Sequence, residues 1–321
     1  MKKILVLGHI REEGFAQLDV RADVSYEHLT ECDERTLRDR VQGVHAIAVR
    51  TAPLSEKVLA RAPELEIVSR HGVGYDNVPI ETLTARNIPL ALAVNANAIS
   101  VAEHTMYFIL ALAKRGPSYD EATRSGNFAF RNSYLATDIS AKTLLLVGFG
   151  RIGSRVAARA RAFDMKVQAF DPYVSGERME ELGVERVSDL ERALGGADYV
   201  SVHCPLNERT HHLIGAKELQ RMPVSSYIVN CARGGIVDEE ALRTALLRHE
   251  IAGAGLDVFE HEPVSASHRL FEHTNVIVSP HSAGVSAEAA IRMSEETIAN
   301  VLAFFDGRLD PAVVANASGL R

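Results

Sequence analysis

Three observations predict an α/β protein built on parallel sheets. Short apolar runs of strand length recur at intervals that leave room for a crossover helix, and these runs fall into two series separated by one long helix. A glycine-rich turn also joins one run directly to a helix-forming stretch. The 321 residues fit two domains of ordinary size, and 46% hydrophobic against 24% charged residues gives each enough apolar material for a core.

The first series has strand-like runs at 3–7, 46–49, 66–69 and 90–94, with polar, helix-compatible segments between them. From residue 97 the pattern changes to one long helix at 100–115. There Ser100 suits the N-cap, Glu103 completes a capping box, and Gly116-Pro117 closes the helix. The stretch 119–140 carries Gly126, Asn127, Asn132 and four aromatics, including Tyr134, and reads as a surface connection with one helix. The second series has runs at 143–147, 166–170, 199–202, 227–230, 253–257 and 275–278, the six strands a doubly wound nucleotide-binding sheet requires. A last amphipathic helix spans 286–305 and is closed by Gly307. No repeat or low-complexity tract occurs.

Charge and cysteine content exclude several function classes. With 35 Lys and Arg against 42 Asp and Glu, the net charge of −7 gives no global attraction for nucleic acid, although a local basic pocket can still hold a small anion. Cys32, Cys204 and Cys231 are too few and too scattered for a disulfide framework or a zinc cluster, which suits a reducing cytoplasm. Met1-Lys2-Lys3 opens like a signal peptide, but its apolar run stops at Leu7 and polar residues follow. No segment approaches the roughly 18 apolar residues needed to cross a bilayer, so no membrane association is expected.

Gly148-Phe149-Gly150-Arg151-Ile152-Gly153 follows the run at 143–147 and opens a helix-forming stretch at 154–163. Gly148 permits the tight turn, Gly150 lets a pyrophosphate approach the backbone, and Gly153 lets helix pack on strand. The next strand ends at Asp171, where a carboxylate can accept both ribose hydroxyls of NAD and would repel a 2′-phosphate. This favours NAD over NADP. A turn without ligand and an S-adenosylmethionine site share the same geometry.

Three further segments follow strands and therefore meet at one sheet edge, where open α/β sheets bind ligands. Asn230-Cys231-Ala232-Arg233-Gly234-Gly235 offers Arg233, whose guanidinium can grip a carboxylate with two hydrogen bonds; a surface arginine is the plain alternative. Asp257-Val258-Phe259-Glu260-His261-Glu262-Pro263 offers Glu262, and His281 follows Ser279-Pro280. A carboxylate beside an imidazole fixes its tautomer and suits a proton-transferring histidine, so Glu262 and His281 form a candidate pair. With 13 histidines in the chain, position alone does not single out His281; the combination does. His203, His211 and His212 lack metal-site spacing and read as surface or cofactor-edge residues, so no metal is expected.

These segments, with Arg70-His71-Gly72-Val73-Gly74-Tyr75-Asp76-Asn77-Val78, Ser100-Val101-Ala102-Glu103-His104 and His203-Cys204-Pro205-Leu206, resemble the D-isomer-specific 2-hydroxyacid dehydrogenase family over nearly the whole chain. Within it, the Asn230 to Asp238 segment and the Gly72 to Asn77 loop are most similar to short 3-phosphoglycerate dehydrogenases. The resemblance implies a Rossmann-type doubly wound sheet at 97–284 inserted into a smaller, discontinuous flavodoxin-like α/β substrate domain made of 1–96 and 285–321, with a cleft between two hinged lobes. It implies NAD as cofactor and a small anionic 2-hydroxy or 2-oxo acid as substrate. Arg233 would orient the substrate, His281 would be the acid/base, and Glu262 would support His281. Backbone N–H groups of Val73 and Gly74, with His71, would help hold the substrate, and Arg50 with Lys57 or Arg131 would supply a phosphate site unless they are plain surface charges. Cofactor contacts would fall to Gly148, Gly150, Arg151, Ile152 and Gly153 at the phosphates, Asp171 at the ribose, and His203, Cys204, Pro205 and Thr210 along the adenosine side. Cys231, Ala232, Asp257 and Ala283 would lie near the nicotinamide, with Cys231 a neighbour and not a nucleophile. The helix at 100–115, apolar from Met106 to Ala113, would serve a homodimer interface.

There are departures from the family pattern. Ser282 stands where relatives usually place an aliphatic residue, Pro79 replaces a usual acidic one, and the sequence, read to Arg321, is expected to lack the C-terminal regulatory domain of many serine-pathway members. Hydroxypyruvate or glyoxylate reductases and sulfolactate-type dehydrogenases therefore stay open as alternatives. So does an NAD-sensing corepressor-like binding protein, against which the lack of disordered extensions argues.

Overall fold

The computed structural model describes residues 1–75, 77–133 and 135–320, so Asp76 of the expected substrate loop and Tyr134 lie outside the described residues. The contacts divide the chain into two compact units, Met1–Asn97 with Val285–Arg321, and Ala98–Gly284.

In the first unit, β1 (Lys2–Leu7), β2 (Val24–Leu29), β3 (Ala46–Val49), β4 (Ile67–Arg70) and β5 (Leu90–Leu92) form one parallel sheet in the order β2-β1-β3-β4-β5. That is the flavodoxin-like order. Side chains alternate between two cores: Leu5, Leu7, Ile47, Val49 and Val68 face one side, and Ile4, Val6, Ala46, Ala48 and Ile67 the other. Burial on both faces explains why these strands are continuously apolar. The second face is covered by the helices Glu12–Asp19 and Ala287–Phe305, and the latter is capped by the Ser286 side chain accepting from the Ala289 N–H. Small residues let this helix lie close, and the Ser69 hydroxyl donates to the Thr297 carbonyl at 2.8 Å. The chain then runs along β5, where Leu90 N–H donates to Asn316 Oδ1 at 2.9 Å.

In the second unit, β6 (Thr143–Val147), β7 (Lys166–Phe170), β8 (Glu185–Arg186), β9 (Tyr199–Val202), β10 (Tyr227–Asn230), β11 (Gly253–Leu256) and β12 (Val276–Val278) form a parallel sheet in the order β12-β11-β10-β9-β6-β7-β8. The chain reverses its direction of strand addition between β6 and β9, the switch point where doubly wound sheets bind nucleotides. Leu144 and Leu146 face one core, while Leu145, Val147, Val200 and Val202 face the other.

Several expectations need correction. The long helix begins at Ala98 and ends at Lys114, so Ser100 is a buried interior residue and not its N-cap, and Glu103 pairs with Arg159 at 3.0 Å instead of closing a capping box. The helix after the Gly-rich turn starts at Arg151, three residues earlier than predicted. Helix Gly116–Arg124 and the short turn Phe128–Asn132 occupy the connection that follows. Strands β2 and β8 were not predicted. No helix among the described residues is long and apolar enough to cross a membrane.

Candidate active site

At the switch point, β6 ends in Gly148, which has φ +103; a methyl group there would stand 2.7 Å from the His203 carbonyl carbon and the Cys204 amide nitrogen. Only glycine lets the turns after β6 and β9 approach this closely. Among the described residues, a methyl built on Gly150 meets nothing within 4 Å, so that side of the turn is open, and no side chain caps the helix Arg151–Ala162 behind it. An open glycine face beside an uncapped helix N-terminus is what a pyrophosphate needs. Ile152 is half-buried and Arg151 exposed at this end. Asp171 follows β7 and leans back to the turn: its Oδ2 accepts from Phe149 N–H at 2.8 Å and its Oδ1 from Tyr173 N–H at 2.8 Å. Its carboxylate is thus held at the sheet edge beside the turn, where a ribose diol would meet it. These residues fit a dinucleotide.

The next strand leads to His203. Its Nε2 is 2.9 Å from Ser201 Oγ, its Nδ1 is buried with no partner among the described residues, and burial pushes its pKa down to about 3. Burial pushes the Cys204 thiol up to about 11 and the Cys231 thiol higher still, so both remain protonated and poor nucleophiles. Thr210 donates to the Pro205 carbonyl at 2.6 Å and closes the exposed 205–210 loop.

Three neighbouring strands, β10, β11 and β12, deliver the remaining candidates. After β10, buried Asn230 pins its loop by donating to the Arg233 carbonyl at 2.9 Å and accepting from Ala232 N–H at 3.0 Å. A methyl on Gly234 would overlap the Phe259 carbonyl, so the Arg233 loop is pressed against the loop after β11. In that second loop Glu262 Oε1 accepts from Phe259 N–H at 3.0 Å, and Oε2 lies 2.7 Å from His281 Nδ1. An ionised carboxylate can only accept, so Nδ1 carries the proton and Nε2 is left for chemistry. His281 has φ +52 and a partly exposed side chain, and its N–H donates to the Asp257 carbonyl at 2.8 Å. Asp257 itself, 1% exposed, accepts from the N–H groups of Ser282 and Ala283, each at 2.8 Å.

In the first unit, Val73 and Gly74 sit in an exposed to half-buried loop, and their N–H groups have no hydrogen-bond partner among the described residues. Asn77 braces this loop, accepting from Arg70 Nε at 3.2 Å. His71 is only 4% exposed, with Nε2 3.2 Å from Ser294 Oγ; burial first, and then the charges of Arg50 and Arg70, push its pKa down to about 4. Arg50 donates to the His9 carbonyl at 2.9 Å, and Lys57 is exposed. In the second unit the exposed Arg131 stacks over Phe128.

Sequence spacing missed two groupings. His212 lies between Glu260, at 3.1 Å from Nε2, and Asp238, at 3.6 Å from Nδ1; the three come from segments far apart in the chain. His104 and Ser279 stand beside Asp257, with His104 Nε2 2.9 Å from Ser279 Oγ. The quoted motifs contained these residues, but nothing local said which would meet.

Residues 106–283 match the family model for D-isomer specific 2-hydroxyacid dehydrogenase, NAD binding domain. A D-3-phosphoglycerate dehydrogenase from Synechocystis sp. is 36% identical over 301 residues, 92% of this chain and 52% of that protein. A glyoxylate reductase from Korarchaeum cryptofilum is 34% identical over 317 residues, 97% of this chain and 95% of that protein. The chain spans about half the length of the D-3-phosphoglycerate dehydrogenases it matches. Among solved structures, a D-lactate dehydrogenase from Aquifex aeolicus complexed with NAD and lactic acid has a TM-score of 0.86 at 30% identity, covering 97% of this chain and 98% of that one.

Proposed function

The chain belongs to the D-isomer specific 2-hydroxyacid dehydrogenase family, and from that premise we propose that it interconverts a D-2-hydroxy acid and its 2-oxo acid with NAD as cofactor. The observation that carries this reading is the 2.7 Å pair of His281 and Glu262, on the same sheet edge as the Gly-rich turn. When bound, NAD would supply the hydride acceptor for C2 of the hydroxy acid, and its reduced form the hydride donor for the return direction. In oxidation, His281 Nε2 takes the hydroxyl proton, and Glu262 stabilises the imidazolium that results. In reduction the same imidazolium gives the proton to the oxygen at C2. Arg233 orients the carboxylate and stabilises charge on the substrate oxygens in both directions. The N–H groups of Val73 and Gly74 are suited by their open hydrogen-bonding capacity to a carboxylate. Asp171 would hold the ribose, and Arg151 and Ile152 the phosphates.

The substrate we propose is phosphohydroxypyruvate or its 3-phosphoglycerate partner, supported by the D-3-phosphoglycerate dehydrogenase relatives and by Arg50 as a phosphate-side cation. A second reading, glyoxylate or hydroxypyruvate reduction, is favoured by the match along nearly the whole length of a glyoxylate reductase. A spectrophotometric panel of 2-oxo and 2-hydroxy acids with NADH or NAD separates the two, and silence with every acid overturns both. Replacing His281 with Gln should lower kcat by about 100- to 10,000-fold with NAD affinity nearly kept; retained turnover would refute its role.

We also assign a cytoplasmic setting and a homodimer through the helix Ala98–Lys114. The helix exposes Tyr107, 51% accessible, beside a groove of about 760 Å³ lined by Met106, Leu110, Ala111, Pro117 and Phe163. An apolar strip of this kind suits a second copy. Tyr107→Glu should give a monomer by analytical ultracentrifugation, and an unchanged mass would remove this helix from the interface.

A further inference from the structure

The Asp257 carboxylate is removed from water at the end of β11, and a buried charge persists only with donors on its oxygens. Besides the two backbone N–H groups of Ser282 and Ala283, it receives the Ser279 hydroxyl on Oδ1. The carbonyls of Asp257 and Ser279 in turn accept from His281 N–H, at 2.8 and 3.1 Å. These two residues therefore hold the 279–283 turn at its start and its end. In the turn, His281 has the left-handed φ of +52, which a side chain other than glycine keeps only where its surroundings over-determine it.

His104, on the helix Ala98–Lys114, stands behind Ser279. A hydroxyl has one hydrogen to give, and Ser279 gives it to Asp257, so toward His104 Nε2 at 2.9 Å it accepts. His104 Nε2 therefore carries a proton. Burial lowers the His104 pKa, partly opposed by the Asp257 charge, which leaves a neutral ring with a bare Nδ1 near pH 7. The rings of Tyr107 and Phe108 pack against it, with centroids at 5.5 and 4.6 Å, and fix its plane.

We infer that His104 is a positioning residue: by donating to Ser279 it directs the serine hydroxyl onto Asp257 and so holds the turn that presents His281. This rests on the acid/base role proposed for His281. The proposed mechanism gives His104 no contact with the substrate or the reacting proton. Without it, the Ser279 hydroxyl loses a partner and is free to rotate away, Asp257 loses a donor, and the strained turn loosens.

Kinetics and hydrogen exchange on the full chain test this. His104→Leu should lower kcat about 10- to 100-fold. His104→Gln, whose amide N–H can replace Nε2, should recover most of the loss, and adding His104→Leu to Ser279→Ala should lower kcat no further than Ser279→Ala alone. An unchanged kcat in His104→Leu, equal losses in the Leu and Gln variants, or additive losses would each overturn the inference. Independently of activity, Ser282 and Ala283 amides should exchange faster in His104→Leu than in the parent, and equal rates would overturn it. If the Leu variant does not fold, nitrogen-15 NMR of the parent protein decides: a neutral Nε2–H tautomer for His104 at pH 7 supports the relay, and an Nδ1–H tautomer overturns it. Should the parent turn over no 2-hydroxy or 2-oxo acid, the role of His281 fails, while the exchange and tautomer measurements still judge the relay.

Discussion

At the scale of single residues, the site depends on which atoms are already committed. Glu262 uses one oxygen on Phe259 N–H and the other on His281, so its charge is fixed in place beside the imidazole. Glu262→Gln keeps the shape and removes the charge. The imidazolium of His281 then loses its stabilising partner, and the acid limb of the oxidation profile should move to lower pH. A profile of kcat/KM against pH checks this, and a stationary limb would argue that the pair does not operate in solution. The candidate residues were legible because each ends a strand run within a short, composition-rich motif. What the string did not carry was pairing between motifs: nothing around His104 says that Ser279 will meet it, since 175 residues separate them. The inward turn of His71 was hidden for the same reason, because its partner Ser294 lies on the last helix.

Elements follow the same logic of crowding. The loops after β10 and β11 touch so closely that Gly234 has no room for a side chain against the Phe259 carbonyl. Gly234→Ala must displace one loop, and both carry site residues. Turnover should fall by about 100-fold, more steeply than thermal stability declines; comparing kcat with the unfolding midpoint checks this, and a variant with normal kcat would mean that the loops yield freely. Central strands were readable because burial on two faces makes them apolar throughout. The two that escaped notice, β2 and β8, lie at edges of their sheets: β2 buries only Val24, and both residues of β8 are exposed. Exposure and not edge position alone hid them: β5 is an edge too, yet its three residues are buried and its run was readable. The mistaken cap at Ser100 has a related cause, for a serine buried inside a helix carries the same letter as one that starts it.

For the whole molecule, buried neutral histidines couple stability to acidity. The His71 pKa is about 4 when folded and about 6.5 when unfolded, so between these values the unfolded chain binds the extra proton. Stability is therefore unaffected above about pH 6.5 and declines as pH falls toward about 4, by on the order of 3 kcal/mol from this residue. His203, displaced further in the same direction, extends the decline to lower pH. Urea midpoints measured from pH 7.5 to 4.5 should fall, and His71→Gln should flatten the curve; parallel curves would place the acid sensitivity elsewhere.

The discontinuous first unit sets an order of events during synthesis. Residues 98–284 form an uninterrupted unit whose strands all emerge together, but the helix Ala287–Phe305, which covers one face of the earlier sheet, leaves the ribosome only after that whole unit. Until then the apolar row of Ile4, Val6, Ala46, Ala48 and Ile67 is covered only by the short helix Glu12–Asp19, although its strands were made before the nested unit. The nascent chain is thus stickiest at strands made before the nested unit, and that row is the surface a ribosome-associated chaperone would shield while the nested unit folds ahead of the one that began before it.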